Sequence, residues 1–127
     1  MKTAHPAPAA VQERWRARGI WTDETLLDRL AVANGDDLAI VDGDVRLTID
    51  ALRASSARVA AGLAARGVGR GDIVCWQLPN WWDAVVLCWA IWRRGAIASP
   101  ITPNLRAHEV GFITRQTAAR CLVVPAS

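Results

Sequence analysis

Lysine is almost missing from this chain of 127 residues: Lys2 stands alone against 14 arginines, and with 12 acids the formal net charge is +3. The basic residues are scattered along the sequence, so the positive balance does not point to nucleic acid, and no nucleic-acid partner is expected. Cysteine is scarce too. Cys75, Cys88 and Cys121 are odd in number, lack CxxC spacing and each sit in an apolar run, which reads as buried free thiols in a reducing compartment. The two histidines, His5 and His108, stand far apart without ligand-like companions, so no metal site is expected. No long hydrophobic run exists. The apolar stretch from Ala84 to Trp92 is about half of what a membrane span needs. The N-terminus "MKTAHPAPAAVQERWRARG" has no apolar core of signal-peptide length, so no export is expected and the cytoplasm is the expected location.

What is present reads as one α/β domain behind a short tail, with 52% hydrophobic and 21% charged residues. Residues 1–12, rich in Ala and Pro, are expected to be flexible. Thr22 precedes "DETLLDRLAVA" as a good N-cap, predicting a helix from Asp23 to Ala33 with Leu26, Leu27 and Leu30 on its apolar stripe. "LAIVDGDVRLT" predicts a hairpin turning at Asp42-Gly43. Thr48 can cap the next helix, whose inward positions are Leu52, Ser56, Val59, Ala60 and Leu63, and Gly67 with Val68 fits a Schellman stop. The period then changes. "DIVCWQL" has no polar alternation before Gln77, as expected of a strand covered on both faces. Asn80 with Asp83 suggests a capped helix over residues 81–94, stopped at Gly95. "AIASP" is a strand, "ITPN" a loop, "LRAHEVGFITRQT" a helix with Leu105, Val110, Ile113 and Thr117 inward, and "RCLVV" a strand. Strand, helix, strand, helix, strand is the pattern of a parallel sheet with helices on both faces.

The helix at 81–94 carries Trp81, Trp82, Trp89 and Trp92, four of the seven tryptophans. No basic residue is interleaved with them, which argues against base stacking. An interfacial membrane helix would need a charged face, and Asp83 is all this one offers before its terminal arginines. Core packing is the remaining expectation. Four tryptophans bury ~600–1,000 Å² together, whereas monomers rarely expose apolar patches beyond a few hundred Å². A sheet of four strands covers one side of such a helix, so a neighbour is expected on the other: the remainder of a larger protein, or a second copy.

From "RLTIDALRASSARVAAGLAARGVGRGDIVCWQLPN" through "GAIASPITPNLRAHEVGFITRQTAARCLVV" the chain resembles the N-terminal part of the adenylate-forming, or AMP-binding, superfamily. The landmarks occur in order: hairpin and helix, Gly-Asp before a buried strand, Pro79-Asn80 opening a helix, Gly95-Ala96 before a strand, a Pro-containing loop, and Glu109 on the next helix. The opening "RWRARGIWTDETLLDRL" is similar to the acyl-CoA synthetase branch that includes fatty-acid- and cyclohexanecarboxylate-type CoA ligases and aryl-acid activating enzymes. The resemblance implies a partial N-terminal subdomain at residues 13–127, of an enzyme that uses ATP, Mg and coenzyme A to convert a carboxylic acid to an acyl-adenylate and then an acyl-CoA. One departure is Thr102, where family members often carry Asn.

The phosphate loop, ribose-binding carboxylate and C-terminal lysine of that superfamily have no counterpart here. The one glycine cluster, "RGVGRGD" at residues 66–72, follows a helix instead of a strand, and reads as a helix stop and tight turn. No catalytic, cofactor-binding or metal-ligating residue is therefore assigned, and no cofactor is expected for this stretch alone. If substrate is touched, open parallel sheets do so at loops beyond their strand ends; those loops carry Asn80, Ser99, Thr102 and Asn104, each read as a cap or turn residue. Two rival readings are a free-standing α/β interaction module that dimerises or binds a partner through its tryptophans, and a small flavodoxin-like nucleotide-binding protein.

Overall fold

The computed structural model describes residues 8–20 and 26–126, in two compact units, Met1–Val32 and Ala33–Ser127. In the first, Pro8 precedes helix α1 (Ala9–Ala17), so residues 9–12 of the segment expected to be flexible form its first turn. Gly19, at φ +64°, ends it. The amides of Gly19 and Ile20 donate to Arg16 O and Trp15 O at 2.9 and 3.0 Å, the paired bonds of a Schellman stop. The guanidinium groups of Arg14 and Arg18 lie 5.3 and 5.7 Å from the Trp15 ring centroid, a cation–π arrangement. The expected cap Thr22 and helix start at Asp23 lie outside the described residues. Helix α2 is described from Leu26 to Val32; Leu30 is buried, but Leu26, expected on the same stripe, is exposed.

In the second unit, β1 (Leu38–Asp42) pairs antiparallel with β2 (Val45–Thr48). Asp42 pairs with Val45, so the two-residue loop is Gly43-Asp44, one residue later than Asp42-Gly43. Gly43 takes φ +55° and Asp44 does not enter the left-handed region, the sign pattern of a II′ turn, which needs glycine first. Thr48 Oγ1 then accepts from the Ala51 amide at 3.2 Å and opens α3 (Ile49–Ala65). Leu52, Ser56, Ala60 and Leu63 are its buried face, while Val59 is exposed. Gly67 at φ +77° stops it, with Gly67 N donating to Ala64 O and Val68 N to Leu63 O.

Strands β3 (Ile73–Trp76), β4 (Ile97–Pro100) and β5 (Cys121–Val123) form a parallel sheet in the order β4-β3-β5, connected by α4 (Trp82–Arg93) and α5 (Ala107–Thr117). Val74 and Trp76 share one cluster with Ala60, Leu63, Leu87, Ala90 and Ile91 of α3 and α4. Cys75, between them, belongs to a second cluster with Ile101 and Val110 of α5. Alternate residues of β3 therefore point to opposite layers, and the expected α/β sheet with helices on both faces is the fold observed.

Trp81, Trp82, Trp89 and Trp92 are not the core. Val86, Leu87, Ala90 and Ile91 form the buried stripe of α4, whereas Trp81 and Trp92 are 45% and 36% exposed and Trp82 and Trp89 are half-buried. Helical spacing allowed either stripe, and the small Ala90 admits the closer approach of α3. Trp89 and Trp92 meet edge to face at 5.5 Å. Asn80 is also not the helix cap. That position is Trp81, without a side-chain bond, and the Trp82 amide instead donates to Asp42 Oδ2 at 2.9 Å. A carboxylate 40 residues away in sequence replaces the local cap.

Candidate functional site

Strand β3 runs into α4 on one layer of the sheet and β4 into α5 on the other. Their carboxyl ends therefore lie on either side of the point where the connections diverge, the place where open α/β sheets accommodate ligands. A cleft of 370 Å³ opens there, lined by Trp76, Leu78, Pro79, Trp89, Trp92 and Pro100 among others, with Asn80 and Cys88 at its wall. Burial pushes the Cys88 thiol pKa up, because ionising it would place charge in a poorly solvated position. A thiol held protonated is a weak nucleophile.

The organising side chain of this end is Gln77. Its Nε2 donates to Leu105 O at 2.6 Å and to Thr102 O at 3.1 Å, with Pro103 O at 3.4 Å. One amide at the end of β3 thus holds the loop that leaves β4, backed by Ile101 N donating to Trp76 O at 2.8 Å. The sequence signal was a lone polar residue closing an apolar strand. Thr102 and Asn104 come together, Thr102 Oγ1 donating to Asn104 Oδ1. Asn80 is exposed near the start of α4, and Ser99 is inside β4, paired with Cys75, and not in a loop. The four loop candidates therefore do not converge on one point. Glu109 reaches back to accept from Arg106 N at 3.0 Å and fixes the start of α5.

Phosphate groups are bound by free backbone amides on a glycine turn. In residues 66–72 those amides are engaged: Gly67 N on Ala64 O, Gly71 N on Gly95 O, and Gly69 N on Asp72 Oδ2 at 2.8 Å. The stretch does not fit a nucleotide phosphate. Among the described residues no three His, Cys, Asp or Glu side chains are grouped to hold a metal ion, and no helix is long and apolar enough to cross a membrane.

The apolar surface left open lies along β5. Among the described residues the strand pairs with β3 alone, and Leu122 and Val124 are 41% and 53% exposed. One groove of 450 Å³ runs between this strand and α3 along Val59, Leu63, Leu87 and Val123. Another of 530 Å³ continues past Arg58, Trp81 and Trp82 to Pro125.

The family model for AMP-binding enzymes matches residues 27–127. The chain is 33% identical over 123 residues to a salicylyl-CoA synthase / salicylate adenylyltransferase of Streptomyces sp, covering 94% of this chain and 22% of that protein. It is 30% identical over 115 residues to the medium-chain fatty-acid–CoA ligase of Escherichia coli, covering 87% of this chain and 20% of that protein. The apo structure of MbtA from Mycobacterium smegmatis superposes with a TM-score of 0.84 at 33% identity, over 94% of this chain and 23% of that one. The chain thus spans about a fifth of the length of the relatives it matches, and corresponds to their N-terminal part.

Proposed function

This chain belongs to the AMP-binding enzyme family, and on that premise we propose that it forms the N-terminal scaffold of an ATP-dependent acid–thiol ligase, with no catalysis of its own. The whole enzyme would join a carboxylic acid to AMP with release of pyrophosphate, and then exchange AMP for the thiol of coenzyme A, in the cytoplasm. ATP, Mg and coenzyme A would be held by parts of the ligase other than this chain, whose glycine turn at 66–72 has its three glycine amides occupied. Residues 13–127 would be the partial subdomain, although helix α1 already begins at Ala9 within the preceding segment.

The observation that carries this reading is the open edge of β5 and the apolar grooves beside it. An exposed apolar edge strand invites pairing and must be covered, and the remainder of the ligase is the cover we assign. Where that cover is missing, copies of the chain would come together through this edge, with Trp81, Trp82, Trp89 and Trp92 as a second apolar face for self-association.

The test is acid-dependent ATP–pyrophosphate exchange and ATP binding by the 127-residue chain alone. Neither is expected under conditions in which a complete ligase shows both. Exchange activity, or micromolar ATP binding, would overturn the scaffold reading and favour a small nucleotide-binding protein.

A further inference from the structure

The arginines that look scattered in the sequence are gathered by the fold. Three connections meet at the amino edge of the sheet: 66–72 before β3, 94–96 before β4 and 118–120 before β5. They are tied together by Gly71 N on Gly95 O, Ile97 N on Asp72 O and Arg120 N on Ile73 O. Arg66, Arg70, Arg93, Arg94 and Arg120 stand on this edge or on the helix end beside it. All are exposed but Arg94, which is half-buried. The Arg120 guanidinium lies over Gly67, where a Cβ would stand 2.7 Å from its Nη2, and the Arg70 side chain lies over Gly95.

Among the described residues no carboxylate forms an ion pair with these arginines. The hydrogen bonds of Arg66, Arg93 and Arg94 go to Gly62 O, Ser56 Oγ and Val68 O, all uncharged. Asp72 is the one acid on these connections, and its carboxylate is on the Gly69 amide. The bland account is that arginines complement helix C-termini. Each C-terminus carries about half a negative charge, so the three that end here and Asp72 together offset only about half of the five cations. The opposite, carboxyl edge carries Asp83 and Glu109 in the first turns of α4 and α5, with Arg106 beside Glu109, and Asp42, at the end of β1, meets the start of α4 there.

From this complementarity we infer that the amino edge of the sheet is a docking surface for an acidic protein segment, an Asp/Glu-rich stretch or helix face. Guanidinium forks pair with carboxylates bidentately, and the edge is at the opposite end of the strands from the carboxyl ends at which open α/β sheets accommodate ligands. Nucleic acid is the weaker fit. The connections carry no aromatic residue for base stacking, and the nearest, Trp92, lines the cleft edge-on to Trp89. An anionic membrane fits less well again, because Val68 and Ala96 are buried and the exposed Ala118 is too small to anchor in a bilayer.

The experiment is fluorescence anisotropy of a labelled glutamate-rich peptide titrated with the 127-residue chain at about 0.01 M and at about 0.3 M salt, between which the Debye length falls roughly fivefold. Single-stranded DNA and phosphatidylserine vesicles serve as competitors. Binding at low salt is expected, weakened about tenfold by Arg70→Glu and further by Arg70→Glu with Arg120→Glu. Arg46→Glu with Arg106→Glu, the same charge change elsewhere, is expected to leave it within about twofold. Arg70→Glu alone, checked by circular dichroism, keeps the test valid if the double variant does not fold. Absence of binding, equal loss from both double variants, or tighter binding of DNA or vesicles would overturn the inference.

Discussion

Ala118 holds a left-handed conformation, φ +52°, at the end of α5. Its amide and that of Ala119 donate to Arg115 O and Thr114 O, the same pair of bonds that Gly19, Gly67 and Gly95 make at the ends of α1, α3 and α4. Only here is the residue not glycine, and a Cβ in that region costs about 1 kcal/mol. Ala118→Gly is therefore expected to stabilise the chain by about 0.5–1 kcal/mol, read as a rise in the urea midpoint with unchanged slope. Cys88 gives a pH dependence. Burial raises its thiol pKa in the folded chain, so the unfolded chain ionises first as pH rises. Stability is then full below the ordinary thiol range and falls as pH climbs through it toward the folded value; Cys88→Ser should flatten that limb of a denaturation series from pH 7 to 10.

At the scale of the element, α4 separates two ideas that its sequence blurs. Leu87 is 5% exposed and Trp92 36%. Leu87→Ala is expected to cost about 2–5 kcal/mol, and Trp92→Ala less than half of that despite removing the larger ring, as measured by chemical denaturation. The start of the same helix depends on the hairpin: Asp42→Ala removes the acceptor on Trp82 N and should cost about 1–2 kcal/mol, as loss of a helix cap does. These cases mark what the sequence could and could not tell. The caps and stops written locally, Thr48, Gly67 and Gly95, were legible because their chemistry is complete within five residues. The cap on α4 was not, because its acceptor arrives from β1. The tryptophan stripe misled because a helix that is apolar nearly all round carries no internal sign of which face meets α3. The β3, β4 and β5 segments were legible from the change of period, but Ser99, inside the predicted strand "AIASP", was also counted with the loop residues because it stands one residue from the end of that strand. Gln77 was visible only as a polar residue after an apolar run; that it holds Thr102 and Leu105 needed the parallel pairing of β3 with β4.

For the whole molecule, the open edge of β5 sets the behaviour of the chain in solution. Concentration-dependent mass in light scattering is expected. Leu122→Lys, which places a charge on the exposed edge, should return the mass toward that of the monomer without loss of helical circular dichroism. If association persists in that variant and disappears in Trp92→Ala, the tryptophan face and not the strand edge is responsible. The separation of arginines at one end of the sheet from acids at the other has a further effect that needs no partner at all. It gives the second unit a permanent electric moment, so near any charged body within about 10 Å at 0.1 M salt it feels a torque before it feels a contact, and it would arrive end first.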